Sequence, residues 1–154
     1  MELYHIEKAK HKDMWPPKGT LFTEGRWNRR GQWTIYTSTS IALAKLETIA
    51  NDNNLPIKRV VMTLSVSADA LVTEVDKRKL PDNWNRKPYP QELAAFTYEF
   101  LDAKIYLMLK VPSVQSFREY NYLINVEHPG FNKWVKLTDT SPEYFNFRLK
   151  RWYR

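Results

Sequence analysis

The sequence contains no cysteine among its 154 residues, and it has only four glycines and three histidines. The lack of cysteine excludes both a disulfide framework and a thiolate metal site. The histidines, His5, His11 and His128, are far apart and lack the spacing of metal ligands. So few glycines disfavour a Rossmann-type dinucleotide site, and no phosphate-binding glycine loop is present. A Gly-x-Ser-x-Gly nucleophile turn and a His-Glu-x-x-His metal helix are missing as well.

Long apolar runs are also missing. No run approaches the roughly 18–20 residues of a membrane helix, and the start, MELYHIEKAKHK, lacks the apolar core of a signal peptide. Apolar residues nevertheless make up 43% of the chain and aromatic residues 14%, which is typical of a folded protein. We therefore expect one domain over residues 1–154, in a soluble, cytoplasmic protein.

The charge is unbalanced, because 24 lysines and arginines face 17 acidic residues and leave a formal charge of +7. Such a charge favours anionic partners: nucleic acid, a phosphorylated small molecule or an acidic protein. The most distinctive basic segment is GRWNRRGQW, residues 25–33. It is compatible with two hypotheses: a stacking and phosphate-contacting surface for nucleic acid, or one wall of an active site.

Strand-like and helix-like segments are mixed without a regular βαβ rhythm, which predicts an α+β fold. Alternation and β-branched content predict strands over residues 2–9, 32–38, 57–75 (one strand or two), 104–113, 120–131 and 133–139. Helices are predicted over 41–52 and 90–103. The aromatic, basic tail is compatible with a strand or a short helix.

The helix over residues 41–52 has Ser38 or Ser40 as its predicted N-cap. Glu47 is unusual in this helix, because its neighbours one turn away are apolar or small. It is either a helix-edge glutamate whose carboxylate reaches water, or a carboxylate kept for chemistry on a developing positive charge. The core-facing stripe is predicted to consist of Ile41, Ala42, Leu46 and Ile49.

A second unusual stretch runs from residue 109 to residue 131. Asn121 and Asn125 lie among apolar residues, and buried amides need defined hydrogen-bond partners. Ser113 follows Pro112 at a predicted strand end, where a side chain can turn into a pocket. Turn-forming and capping roles are equally compatible with these three polar residues.

Taken together, these stretches resemble the RES domain, the toxin component of a bacterial toxin–antitoxin system. The matching blocks occur in the order of the family and cover nearly the whole chain. Any one of them alone would be weak, and the combination is specific. The blocks are LYHI (3–6), GRWNRRGQWTIYTSTSIALAKLE (25–47), LPDNW (80–84), LKVPS (109–113), EYNYLINVEHPGF (119–131) and FNFRL (145–149).

The resemblance implies an ADP-ribosyltransferase-like domain with mixed, mainly antiparallel sheets and flanking helices. It implies a toxin that acts on NAD, removing nicotinamide and passing ADP-ribose to water, phosphate or a protein. The implied catalytic residues are Glu47, Arg26, Tyr36 and Ser113. Asn28 and Asn125 are expected to shape the substrate pocket.

Each implied role suits the chemistry. Cleavage of the nicotinamide–ribose bond passes through an oxocarbenium-like state, which Glu47 can stabilise. Arg26 suits the diphosphate through bidentate hydrogen bonds. Tyr36 can stack on nicotinamide, and Ser113 can hydrogen-bond the ribose or the nicotinamide amide.

The resemblance implies no metal and no cofactor apart from NAD as substrate. The implied partners are a second copy of the chain and an Xre-type helix-turn-helix antitoxin that covers the active site. DNA would be contacted only through that antitoxin, and no membrane contact is implied.

The chain departs from the family pattern at Val126 and Phe117, where proline is common, and at Asn146, where aspartate is usual. These departures concern loop shape and pocket detail. The alternative is a nucleic-acid-binding or RNA-cleaving toxin that uses residues 25–33. That alternative predicts that Arg29 and Arg30 matter as much as Arg26, whereas the NAD hypothesis predicts that Arg26 alone is critical.

Overall fold

A computed structural model describes residues 1–150, and within that range it confirms the α+β class. The strands are β1 (Glu2–Lys8), β2 (Thr34–Ser38), β3 (Arg59–Val66), β4 (Val72–Glu74), β5 (Met108–Pro112), β6 (Tyr120–Asn125) and β7 (Val135–Glu143). The α-helices are α1 (Gly19–Phe22), α2 (Ile41–Asn51), α3 (Leu93–Ala103) and α4 (Phe131–Trp134).

All seven strands of residues 1–150 belong to one sheet, in the order β4-β5-β6-β2-β1-β3-β7. Within residues 1–150, only the β4–β5 pair is parallel, so the sheet is mixed and mainly antiparallel, as predicted. The segment 57–75 forms two strands. The aromatic, basic tail, for which a strand or a short helix was predicted, forms a 3-10 turn at Phe147–Lys150. Residues 151–154 of that tail lie outside the described residues.

Both faces of the sheet carry apolar cores, because strand side chains point alternately to opposite faces. The first face is covered partly by α4, and its core is formed by Leu3, Ile35, Met62, Leu64, Val66, Ala70, Leu107, Met108, Tyr122, Ile124, Phe131 and Val135. The second face is covered by α3, and its core is formed by Trp27, Val75, Leu93, Phe100, Leu109, Val111 and Leu123.

Helix α2 packs against β1 and β2. Ser40 is its N-cap, since its side chain accepts a hydrogen bond from the Leu43 amide at 3.0 Å. The predicted apolar stripe is wrong: Leu46 is 45% exposed, and the buried residues are Leu43 and Ala44. The helix is rotated so that Leu43 and Glu47, one turn apart, face the sheet. The most apolar side chains therefore do not mark its inner face.

The segment 81–90, which we call the covering loop, connects the region after β4 to α3. Trp84 packs against Trp27 with ring centroids 6.2 Å apart. The Tyr89 hydroxyl donates to Asn51 Oδ1 at 3.1 Å, at the end of α2. The loop is thus tied to the second core and to α2. Of the helices in residues 1–150, none is long and apolar enough to cross a membrane.

Candidate active site

A cleft of about 480 Å³ opens between α2, the ends of β2 and β6, and the covering loop. This volume lies within the range of small-molecule sites. Its lining includes Arg26, Tyr36, Glu47, Tyr89 and Asn121. The strand–helix unit 34–51 therefore brings two of the predicted residues to one place, and Arg26 reaches it from the preceding turn.

The Glu47 carboxylate has two unequal oxygens. Oε1 accepts hydrogen bonds from Ser113 Oγ at 2.6 Å and from Asn121 Nδ2 at 2.7 Å. No group among the described side chains, residues 1–149, donates to Oε2. One oxygen is thus held by the protein, and the other remains available as an acceptor in the cleft.

Ser113 lies immediately after β5, where Pro112 ends the strand. Its hydroxyl donates to Glu47 and accepts from the backbone amides of Gln115 and Ser116, each at 3.1 Å. A hydroxyl has one proton and two acceptor sites, so this group is fully used within the protein. Ser113 therefore holds Glu47, rather than turning its proton toward a ligand as the sequence suggested.

Asn121 also belongs to the site, although its sequence position predicted only a buried amide and no role in binding or catalysis. It lies directly opposite Ser38 in the β2–β6 register, and Ser38 Oγ donates to Asn121 Oδ1 at 2.7 Å. Both residues are buried, at 8% and 4% exposure. The signal available was its position among apolar residues, but its partner becomes visible only once the pairing of β2 with β6 is known.

Asn125, which was expected to shape the pocket, does not lie at this cleft. It occupies the other end of β6, opposite Thr34, and its Oδ1 accepts from the Glu127 amide at 3.0 Å. It lies four residue steps along the strand from Asn121, or about 13 Å at the usual rise. Its buried amide organises the turn after β6 instead.

Arg26 has one edge bound to the covering loop. Its Nη1 donates to the carbonyls of Trp84 at 2.6 Å and Arg86 at 3.1 Å, and its guanidinium lies over the Tyr89 ring, 4.7 Å from the centroid. Burial lowers the pKa of Arg26, while Tyr89, Glu47 and Tyr36 act in the opposite direction, and an arginine stays charged. Among the side chains of residues 1–149, Nε and Nη2 of Arg26 have no hydrogen-bond partner.

Tyr36 and Asn28 form a fixed pair beside Arg26. The Tyr36 hydroxyl donates to Asn28 Oδ1 at 2.8 Å and accepts from the Trp27 amide at 3.1 Å. Asn28 Nδ2 donates to the carbonyls of Thr23 and Arg29, at 3.0 and 3.1 Å. A Cβ at Gly25 would lie 3.0 Å from both Asn28 Oδ1 and the Tyr36 hydroxyl, so any larger residue there would have to displace this pair by a few tenths of an ångström.

The environment of Tyr36 keeps its hydroxyl neutral. Burial raises the pKa of Tyr36 well above its ordinary value, although the hydrogen bond from the Trp27 backbone acts in the opposite direction. The hydroxyl therefore remains a hydrogen-bond donor at physiological pH. Asn28, in turn, uses its amide inside the protein, so its contribution to the pocket is to hold Tyr36.

The segment 25–33 does not present a stacking surface for nucleic acid. Trp27 is only 3% exposed and belongs to the second core. The Trp33 indole donates to the Pro17 carbonyl at 2.8 Å. Arg29 and Arg30 are exposed and carry positive charge, but the aromatic rings that the alternative hypothesis needs are turned inward.

The chain departs from the family pattern at three residues, Val126, Phe117 and Asn146, and each has a different structural environment. Val126 packs against the first core, and Phe117 is exposed between β5 and β6. The side chain of Asn146 accepts from the Arg148 amide at 3.0 Å. The hydrogen bonds that hold Glu47 come from Ser113 and Asn121, so these departures leave that arrangement intact.

The fold and the cleft define an α+β domain whose central carboxylate is held between two strands and accompanied by a half-buried arginine. Residues 2–147 match the RES domain, and the chain belongs to that family. A "Prs ADP-ribosylating toxin" of Sphingobium sp. (strain YBL2) is 33% identical over 115 residues, covering 72% of this chain and 71% of the relative.

Two further similarities cover more of the chain. A "Toxin Res" of Yersinia enterocolitica is 28% identical over 153 residues, or 97% of this chain and 100% of the relative. The crystal structure of the M. tuberculosis MbcT–MbcA toxin–antitoxin complex contains a chain that matches with a TM-score of 0.67 at 15% identity. That match covers 90% of this chain and 81% of the other and shows a shared fold.

Proposed function

We propose that this protein is the toxin of a bacterial type II toxin–antitoxin system and that it cleaves NAD at the nicotinamide–ribose bond. The observation that carries the proposal is the Glu47 carboxylate, which is held at Oε1 by two donors and open at Oε2, within a cleft of ligand size. Membership of the RES domain family and relatives named as toxins support it.

In the proposed reaction, the bond between the ribose C1′ and the nicotinamide nitrogen breaks, and nicotinamide leaves neutral with the electron pair. Positive charge then develops on the ribose, as in glycoside cleavage. A preorganised carboxylate in a partly desolvated cleft stabilises such a charge without reorganising. Oε2 of Glu47 is the atom that we assign to this role and to holding a ribose hydroxyl.

Arg26 is the residue that we assign to the diphosphate. Two carbonyls of the covering loop hold Nη1, which fixes the guanidinium plane. Nε and Nη2 form the edge that suits bidentate pairing with phosphate oxygens. The ring of Tyr36 lines the same cleft and is the candidate contact for nicotinamide.

The ADP-ribosyl group then passes to water, inorganic phosphate or a protein nucleophile, which forms the new bond to C1′ and loses a proton where it carries one. The name of the Sphingobium relative favours a protein acceptor. The M. tuberculosis toxin–antitoxin complex, which contains a chain of the same fold, supports an antitoxin partner. The charge of +7 suits an acidic antitoxin segment over the cleft.

The test is to incubate purified protein with NAD, with and without phosphate and a protein extract, and to identify the products by mass. We expect free nicotinamide together with ADP-ribose, a phosphorylated ADP-ribose or a modified protein. These products distinguish the three acceptors. The absence of nicotinamide release in every arm by folded protein freed of any partner would refute the proposal.

The matched pair of variants is Glu47→Gln and Glu99→Gln. Both remove one carboxylate charge from a helix, but Glu99 is exposed on α3. We expect Glu47→Gln to lower turnover by about a hundred- to a thousandfold, the usual loss for a preorganised electrostatic group. Glu99→Gln should match wild type, and induced expression of Glu47→Gln should no longer arrest growth of a bacterial host.

A further inference from the structure

We propose that Asn121, held by Ser38, is a positioning residue that fixes the orientation of the Glu47 carboxylate, so that one oxygen is bound by the protein and the other faces the substrate. The catalytic part of this inference rests on the proposed function. The structural part concerns the hydrogen bonds that connect Ser38, Asn121 and Glu47, and these can be tested without NAD.

The orientation of the Asn121 amide is fixed from both ends. Its Nδ2 donates to Glu47 Oε1 at 2.7 Å, and its Oδ1 accepts from Ser38 Oγ at 2.7 Å. In the flipped orientation, Oδ1 would face the carboxylate, and two acceptors would meet at hydrogen-bond distance. The Glu47 carboxylate, which can only accept, therefore selects the orientation in which Asn121 donates, and Ser38 holds the amide in that orientation by donating to Oδ1.

Two donors are needed because the terminal torsion of glutamate has only a broad, weak preference of its own. A single hydrogen bond from Ser113 leaves the carboxylate free to turn about that contact. The second donor comes from a different strand, β6, and the two together fix both the position of Oε1 and the plane of the group. Oε2 is then the oxygen left to the cleft.

Burial makes this arrangement stable. Ser38, Ser113 and Asn121 are all at most 8% exposed, so water competes little for their hydrogen bonds. Hydrogen bonds to a charged group in such surroundings are among the stronger ones in proteins. The chain Ser38–Asn121–Glu47 thus connects β2 to α2 through the end of β6.

The kinetic test compares Asn121→Ala with the isosteric Asn121→Asp. We expect Asn121→Ala to lower kcat about ten- to a hundredfold, the value of one hydrogen bond to a charged group. The KM for NAD should change little, because Asn121 acts on Glu47. Asn121→Asp should lose more, since it removes the donor and adds a like charge beside Glu47. A purely structural role predicts the reverse order, because aspartate preserves the shape, and that order would overturn the inference.

The variants at Ser38 keep the test decisive if Asn121→Ala does not fold. Ser38→Ala should lower kcat less than Asn121→Ala does, and Ser38→Thr, which keeps a hydroxyl, should retain activity. The control is Thr37→Val, which removes an equally buried hydroxyl on the neighbouring residue of β2. Thr37 donates to the Tyr122 carbonyl and does not bond the Glu47 network. Equal losses in Ser38→Ala and Thr37→Val would contradict the proposal.

A second readout needs no substrate. In ¹⁵N-labelled protein, the side-chain amide signal assigned to Asn121 by its loss in Asn121→Asp should lie downfield and exchange slowly. It should shift in both Glu47→Gln and Ser38→Ala and stay in place in Thr37→Val. If wild type fails to cleave NAD but these shifts occur, the proposed function is wrong and the positioning of Glu47 stands. If the chemical shift of the Asn121 side-chain amide is unchanged in Glu47→Gln, the inference itself is overturned.

Discussion

The two faces of the sheet are built from the same strands, yet they differ sharply in what they contain around β2. On the first face, Ile35 is fully buried in a continuous apolar core. On the second face, Tyr36 is hydrogen-bonded to Asn28, and Ser38 begins a polar network that reaches Asn121 and Glu47. A single residue step along β2 therefore separates a position that stabilises the fold from one that organises the cleft.

The largest effect on stability should come from a substitution in the apolar core of the first face. Ile35→Ala removes a buried side chain and leaves a cavity, which we expect to lower the free energy of unfolding by about 2–5 kcal/mol. Urea unfolding measures this loss. NAD turnover per folded molecule should stay close to that of wild type. A loss of turnover larger than the loss of folded protein would show that the two faces are not independent.

A smaller effect, on activity, should follow from replacing Arg26 in the cleft. Arg26→Lys keeps the charge but loses the planar fork, which should lower kcat/KM for NAD by about ten- to a hundredfold. The exposed neighbours provide matched controls, since Arg29→Lys and Arg30→Lys should be nearly silent. If all three substitutions cost the same activity, or if binding of RNA changes with them, the nucleic-acid hypothesis regains support.

The next substitution, at Tyr36, removes a hydrogen-bonding hydroxyl from the second face and should lower the stability of the fold. Tyr36→Phe leaves the Asn28 carbonyl and the Trp27 amide without their buried partner, at a cost of about 1–3 kcal/mol in unfolding free energy. The pKa of Tyr36 is raised on folding, so its contribution is complete below the unfolded value of about 10 and is lost at higher pH.

The difference between wild type and Tyr36→Phe should therefore be constant from neutral pH to about pH 9 and shrink above pH 10. Urea unfolding at a series of pH values measures it. A difference that grows with alkaline pH would contradict the assignment of a neutral, buried hydroxyl to Tyr36.

The smallest effect concerns the start of the helix that carries Glu47. Ser40→Ala removes the N-cap bond to the Leu43 amide and should cost about 0.5–2 kcal/mol of stability. Ser40→Asp should restore most of that loss, because aspartate is an equally good cap. Thermal unfolding of the pair checks this. Turnover should be lowered only slightly in either variant, since Glu47 is held separately by Ser113 and Asn121.

Much of the fold was predictable from local patterns. The β-branched segments, the helix ending in Ala103 and a serine cap at Ser38 or Ser40 follow from propensity and capping, which act over a few residues. The inner face of α2 was not predictable in this way. Hydrophobicity favoured Leu46, whereas the helix turns Leu43, Ala44 and Glu47 inward because a cleft, not only a core, lies beneath it.

The site shows the same division. Glu47 was noticeable from its small neighbours, and the family resemblance added Arg26, Tyr36 and Ser113, all of which the structure brings to one region. Choosing between Asn121 and Asn125 required the strand register, because both lie among apolar residues of β6. Register is set by pairing across the sheet, so it could not be obtained from either segment alone.

The hydrogen bonds that hold Glu47 also impose an order in time. Ser113 and Asn121 are 66 and 74 residues further along the chain than Glu47. A chain still being synthesised contains Glu47 long before these two partners exist, and β6 must then pair with β2 in the middle of the sheet. Long-range pairing of this kind forms slowly, because the entropy of closing a long loop opposes it. The nascent chain therefore carries its carboxylate early, and the organised cleft appears only when nearly all of the described sequence has been made.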